Sequence, residues 1–412
     1  MQRRTFFHTA GQAIAGTVLI PQTLTSAAAA VTPAHAKDFA FVSAPVLLNP
    51  EPESVSLVFA ISAPATGWVE YGETEALGQR CNAASEGLLP YESKALRFQL
   101  TGLKPGRTYF YRVQAVPVRF ETAYKIHRGP AIASEVRSFR TLDPSAATAN
   151  FTVWNDTHQN KETLRQLIAQ HRARPADLLL WNGDVTNDIT TEELLIQEYL
   201  SPAGEAHADS IPVFFSRGNH DVRGEAARLL SQYAPGLGGA YHYTFRQGPV
   251  AALVLDTGED KPDETPAYAG LNDFASHRAA QRQWLERAIE DPVFKSAPFR
   301  IAFMHIPLFW DQEVPENWLK VWGGHNGWIC EDGQKQWHDL LEKAGIRFIV
   351  SGHTHRYAWF PPNGAHSYGQ LIGGGPKPEQ ATIIRIQADG SELRLTVADL
   401  AGKEVFRESF KA

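Results

Sequence analysis

Two cysteines and two methionines are all the sulfur that the 412 residues carry. Cys81 and Cys330 are too few for a disulfide framework or for a thiolate metal cluster. A single bridge between them is the most that an oxidising compartment permits. Positive charge is scarce as well. Lys and Arg number 39 against 45 Asp and Glu, for a formal net charge of −6 with no basic block. Nucleic acid held by a positive surface is therefore not expected as a partner, although a metal can supply local positive charge for a small anionic substrate. There is no internal repeat, no low-complexity stretch beyond the N-terminus, and no apolar run of the roughly 20 residues that a spanning helix needs. What remains is ordinary for a globular chain, 43% apolar and 20% charged, with length enough for two or three domains.

The N-terminus reads MQRRTFFHTAGQAIAGTVLIPQ. Two arginines precede a mild apolar stretch of about a dozen residues, too short to cross a bilayer. Small residues follow, and Ala34-His35-Ala36 offers an A-x-A cleavage site. Residues 1–36 are expected to be an export signal, which places the protein in the periplasm or outside the cell. Arg3-Arg4-Thr5-Phe6 resembles the twin-arginine type, with an ordinary secretory signal as the alternative. No cysteine near the cleavage site offers a lipid anchor.

Residues 37–144 have the texture of an all-β domain. In SVSLVFAI, Val55, Leu57, Phe59 and Ile61 share one face, and in RTYFYRV so do Tyr109, Tyr111 and Val113. Short strands between turn signals predict a β-sandwich. The stretch LKPGRTY, ending at Tyr109, resembles the tyrosine corner of fibronectin type III domains. WVEYG resembles the leading domain of purple acid phosphatases. No catalytic constellation stands out in this segment, and its expected role is a platform beside the following domain.

Residues 145–412 change character. Five apolar runs each end in polar residues: FTVW in Asn155-Asp156-Thr157-His158, DLLLW in Asn182-Gly183-Asp184, IPVFFS in Arg217-Gly218-Asn219-His220-Asp221, RIAFM in His305, and IRFIV in Gly352-His353-Thr354-His355. Helix-period segments such as KETLRQLIAQHR, TEELLIQEYL and GQKQWHDLLEKA separate most of them. This alternation predicts an α/β domain, whose ligands collect at the C-terminal ends of the strands. Alternating runs at YHYTF, VAALVLD, TIIRIQ and ELRLTVADL imply a second sheet packed on the first. If the strand continued through His353 and His355, both imidazoles would face one point, as in a metal site; a polar turn is the other reading. Imidazole with carboxylate suits Fe, Mn, Zn or Ni better than Mg or Ca.

The order Asp-x-His, Gly-Asp, Gly-Asn-His-Asp, His, Gly-His-x-His is similar to that of the calcineurin-like metallophosphoesterases, over about residues 148–400. The resemblance implies an α/β/β/α sandwich with two metal ions. One would be held by Asp156, His158, Asp184 and His355, the other by Asp184, Asn219, His305 and His353. It implies hydrolysis of a small phosphate ester by attack of a metal-bridged hydroxide, with no covalent enzyme intermediate; a monoester is the favoured substrate, and a diester of the nucleotide or phospholipid-headgroup kind, which needs the same ligands, is the alternative. His220 would reach the phosphoryl group or the leaving oxygen, and Asp221 either orients it or is a plain turn residue. The purple acid phosphatases have Asp-x-Gly where this chain has Asp156-Thr157-His158, and a tyrosine where it has Asn187, so a purple iron–tyrosinate site is not expected. Arg217, Arg223 and Arg356 are either phosphate clamps or salt-bridge partners. Trp310, Trp318, Trp322 and Trp328 lie in one long segment and either shape substrate choice or form a small core of their own. A binding protein whose metal site only holds structure is the reading from another class.

Overall fold

The computed structural model describes residues 39–311 and 328–412. The expected export signal, Trp318 and Trp322 lie outside them. The first nine strands are β1 (Val46–Leu48), β2 (Ser54–Ala60), β3 (Ala65–Gly72), β4 (Gln79–Cys81), β5 (Ala95–Thr101), β6 (Thr108–Thr122), β7 (Lys125–Arg128), β8 (Ile132–Ala133) and β9 (Arg137–Arg140). Twelve follow: β10 (Ala149–Trp154), β11 (Leu178–Asn182), β12 (Val213–Ser216), β13 (Tyr243–Gln247), β14 (Val250–Val254), β15 (Phe299–Phe303), β16 (Phe348–Ser351), β17 (Ala358–Phe360), β18 (Gly369–Ile372), β19 (Thr382–Ala388), β20 (Glu392–Asp399) and β21 (Glu404–Lys411). The helices are α1 (Lys161–Arg172), α2 (Glu192–Leu195), α3 (Leu230–Tyr233), α4 (Phe274–Ala288), α5 (Pro292–Lys295) and α6 (Glu331–Lys343).

The five apolar runs do not share one sheet. β10, β11 and β12 lie parallel in a nine-stranded sheet ordered β21-β20-β19-β10-β11-β12-β1-β2-β5. β15 and β16 lie parallel in a six-stranded sheet ordered β13-β14-β15-β16-β18-β17. The strands at TIIRIQ and ELRLTVADL, expected in the second sheet, extend the first through β10 instead. Period-2 alternation explains the layering. Phe151 and Val153, Leu178 and Leu180, and Phe214 face Val250, Ala252, Ile301, Phe303 and Val350 across the gap between sheets. The other faces are apolar too, as strands buried on both sides require. Trp154, Leu179, Trp181 and Phe215 pack on Leu164, Leu167 and Ile168 of α1. Ala251, Leu253, Ala302 and Ile349 pack on Leu285 of α4 and on Trp337, Leu340 and Leu341 of α6. Asn160 caps α1, its side chain accepting from the Thr163 N–H.

Among the described residues ahead of 145 every element is a strand. β1, β2 and β5 face a smaller sheet ordered β4-β3-β6-β7, across a core that includes Leu57, Phe59, Phe98, Tyr111 and Phe139. The Tyr109 hydroxyl accepts a bond from the Lys104 N–H at 3.0 Å. The hydrogen-bonded sheet runs across residue 144: β1 pairs in parallel with β12, Leu48 against Val213. Cys81 and Cys330 are both free, so the permitted disulfide is not formed. Trp310 stacks on Trp328 with centroids 5.6 Å apart and meets Phe360 edge-on, which makes these two part of a small aromatic core.

Candidate metal centre

The two parallel strand sets end at one place. Beyond β10 come Asp156 and His158, beyond β11 Asp184, beyond β12 Asn219 and His220, beyond β15 His305, and beyond β16 His353 and His355. Donor atoms of Asp156, His158, Asp184 and His355 form one cluster, and those of Asp184, His305 and His353 a second; within each, the atoms lie within 4.8 Å of one another. Asp184 belongs to both. The Asn219 carboxamide oxygen lies 2.9 Å from His353 Nδ1, which brings it to the second cluster.

The Gly-His-Thr-His stretch is a turn, since β16 stops at Ser351. His353 and His355 therefore serve different clusters rather than one point. Twelve described non-glycine residues have positive φ, and five of them are Asp156, His158, Asp184, His353 and His355. Each such backbone costs on the order of 1–3 kcal/mol unless its surroundings fix it. Here loops fix one another: Asp156 N–H donates to the Gly183 carbonyl (3.1 Å), His158 N–H to the Asp184 carbonyl (3.0 Å), and His353 N–H to the Asp156 carboxylate (2.8 Å). Gly218 and Gly352 are glycine because of close approach. A Cβ on the first would collide with the Asp184 carboxylate, and on the second with that of Asp156.

The ring nitrogens fit bound cations. His305 donates Nδ1–H to the Asn182 carbonyl at 2.9 Å, and its fully buried Nε2 has no hydrogen bond of acceptable geometry, with Asp184 Oδ2 3.1 Å away. His158 gives Nδ1 to Asn187 Oδ1 at 3.1 Å, which turns its Nε2 into the cluster, facing His355 Nε2 at 2.9 Å and Asp184 Oδ2 at 3.4 Å. The carboxyl groups signal the same need. Burial pushes Asp156 up to about 7, against the pull of His305. His305 is itself pushed up to about 10, because Asp184 and Asp156 outweigh its burial. Burial and the His158 ring drive His355 down to about 3. A cation would take over the balancing role that His305 plays here.

His220 sits at the rim. Its N–H donates to Asp184 Oδ1 at 2.9 Å, its Nδ1 meets the Asn187 carbonyl at 2.7 Å, and its ring packs edge-on against His158 at 4.8 Å. Asp221 does not orient it. The Asp221 carboxylate instead accepts from the N–H groups of Asp184 (2.8 Å), Gly218 (2.7 Å) and Val185 (3.1 Å) and from the Tyr199 hydroxyl (2.5 Å). Arg217 is no clamp either: it is committed to the buried Asp256 carboxylate and lies over the Tyr241 ring. Arg223 spends Nε and Nη2 on Glu259 and Asp260, and its Nη1 lies 3.1 Å from His220 Nε2. Arg356 is exposed beside His355. The sequence reading missed Asn182, whose Nδ2 reaches the Met304 and Val350 carbonyls and latches the sheets together beside His305. It noted Asn187 only as a missing tyrosine, although a polar residue three after Gly-Asp was visible.

A family model for calcineurin-like phosphoesterases matches residues 149–357, a little over half of the chain. The chain is 27% identical over 152 residues to the serine/threonine-protein phosphatase CPPED1 of Homo sapiens and to that of Pongo abelii. Each match spans 36% of this chain and 43% of the relative, so the chain spans under half the length of the curated relatives it matches. In three dimensions it is similar to purple acid phosphatase PPD1 of yellow lupin, Lupinus luteus, with TM-score 0.65 and 14% identity over 89% of this chain and 74% of that one. It is also similar to PhoD, with TM-score 0.54 and 11% identity over 88% and 91%. At these identities the likeness concerns the fold. The span that the family model matches encloses every candidate ligand from Asp156 to His355, and the chain belongs to the calcineurin-like phosphoesterase family, a family of metal-dependent phosphoric ester hydrolases.

Proposed function

We propose that the protein is an exported phosphoesterase that uses two metal ions and prefers phosphate monoesters. One observation carries the reading: two donor clusters, fed by strand ends of two sheets, share the Asp184 carboxylate. Asp156, His158, Asp184 and His355 would hold one ion, and Asp184, Asn219, His305 and His353 the other. When bound, such a pair polarises phosphoryl oxygens and makes water nucleophilic at neutral pH. The imidazole and carboxylate donors suit Fe, Mn or Zn. His220 is the group left to meet the substrate. With Nδ1 on the Asn187 carbonyl, it presents Nε2, 3.1 Å from Arg223 Nη1, as the edge that faces the substrate, and it can protonate the leaving oxygen there only as the imidazolium. The monoester preference rests on the similar proteins named phosphatases, and export rests on residues 1–36. Among the described residues no helix is long and apolar enough to cross a membrane.

The test is an initial-rate comparison of matched aryl phosphate mono- and diesters on protein loaded with Mn, Fe or Zn. Chelation should abolish turnover and metal should restore it. Asp184→Asn should lower kcat/KM by about a hundredfold or more, and His220→Ala should lower kcat with metal retained. Faster diester turnover would make it a diesterase. Tightly bound metal with no ester turned over would favour the binding protein.

A further inference from the structure

We infer that Asn187 is a positioning residue that sets the tautomers of two histidines at once, His158 through its side chain and His220 through its backbone carbonyl. The two rings stand edge to face at 4.8 Å, and Asn187 meets the Nδ1 of each, His158 at Oδ1 (3.1 Å) and His220 at the carbonyl oxygen (2.7 Å). A backbone carbonyl can only accept, so His220 must carry its proton on Nδ1. The Asn187 amide orientation follows from its neighbours. Its Nδ2 lies toward Gln159 Oε1 at 3.5 Å, and the Gln159 amide nitrogen is in turn bonded to Thr186 Oγ1. Oδ1 is thus the atom that faces His158, and His158 is protonated on Nδ1 as well. Its Nε2 is thereby turned toward Asp184 and His355.

Asn187 is itself exposed, although the Thr186 beside it is fully buried. Nothing apolar is gained from its side chain, so removing it carries little cost in packing. The effect should fall on the rings. An outer hydrogen bond to a ligating histidine typically changes metal affinity or activity by about 10–100-fold when it is lost. The pairing also separates the two roles by chemistry. Asn187→Ala deletes Oδ1 but keeps the carbonyl, so it frees His158 and leaves His220 anchored. Asn187→Asp keeps an acceptor at both places.

The catalytic meaning of this pairing rests on the dimetal reading, but its geometry is testable without metal. Selectively 15N-histidine-labelled, metal-free protein is compared by long-range 15N–1H correlation, with His158→Gln and His220→Gln to assign the two rings. In the wild type both rings should carry a proton on Nδ1. In Asn187→Ala the His158 ring should lose its single tautomer while His220 keeps its own. Titration with Mn(II) should then show one of two sites weakened about 10–100-fold, with recovery in Asn187→Asp. An unchanged His158 tautomer in Asn187→Ala overturns the inference, as does an Nε2–H tautomer for either ring in the wild type. If the tautomers behave as stated but the wild type takes up fewer than two Mn(II) per chain, the dimetal reading falls and the positioning role stands.

Discussion

At Asp221 a single carboxylate gathers four donors, and three of them are the backbone N–H groups of Asp184, Val185 and Gly218. It holds the Gly-Asp loop against the Gly-Asn-His loop, and so holds the carboxylate that both donor clusters share. An asparagine in its place must present an NH2 group to at least one of these donors. Each buried donor left unmet costs about 1–3 kcal/mol. Asp221→Asn should therefore lower the urea unfolding free energy by roughly 2–4 kcal/mol and loosen metal from both clusters. His220→Ala, at the half-open rim, should do neither. Parallel urea curves and metal contents for the two variants check this, and a wild-type midpoint for Asp221→Asn would sink it. The chemistry of the site was legible because histidine and carboxylate at strand ends are a costly arrangement with few other uses. The task of Asp221 was not, because a carboxylate bonded to backbone N–H groups leaves no mark on residue type at the other end.

The elements α1, β10 and β11 enclose a second set of histidines that the site does not use. His171, near the end of α1, stands edge-on to Trp154, and His207, ahead of β12, stands edge-on to Trp181. Burial is the main cause that pushes His171 down to about 4, helped by Arg385 and Arg172. Burial likewise pushes His207 down to about 3, helped by His171 and Arg172. Both are neutral in the fold and charge near 6.5 once unfolded. As pH falls below about 6.5 the unfolded chain takes up these protons first, so the stability present above 6.5 is lost as pH falls toward the folded values. Each histidine contributes a slope of about 1.4 kcal/mol per pH unit at most. Urea midpoints between pH 7.5 and 5 should fall more steeply for the wild type than for His171→Leu, by about one proton; equal slopes would refute the assignment. Helix α1 itself was plain in KETLRQLIAQHR, where Leu164, Leu167, Ile168 and His171 recur at helical spacing. The turn at His353 and His355 was hidden, because an apolar run does not announce where its last residue leaves the sheet. The end of β16 at Ser351 and the positive φ of each histidine show it.

On the scale of the molecule, what the sequence concealed is non-local pairing. The five motifs and their helices came through local periodicity, but the membership of each strand in one sheet or the other depends on partners far along the chain. β1 is three residues long and looks like part of a loop, yet it covers the edge of β12, the strand that leads into Gly218, Asn219 and His220. Further ties cross the same boundary. Leu47 N–H donates to the Ala208 carbonyl at 2.8 Å, Asn49 N–H to the Val213 carbonyl at 3.0 Å, and the buried Tyr111 hydroxyl to the Asp209 carbonyl at 2.8 Å. Arg137 is paired with Asp209 as well. Val46, Leu48, Val58 and Ala60 belong to the same buried cluster as Trp181 and Phe215. A chain beginning at residue 145 would expose that apolar surface and leave an unpaired strand edge beside the site, a template for aggregation. Residues 145–412 alone should therefore be insoluble, or soluble with a lowered unfolding midpoint and weakened Mn(II) uptake, while residues 37–412 behave as one cooperative unit. The comparison needs expression of both lengths, sedimentation, urea unfolding and metal titration. A monomeric 145–412 fragment with the full-length midpoint and full turnover of an aryl phosphate would show that the leading strands are an appendage, and that the sheet continuing through β1 carries nothing the site depends on.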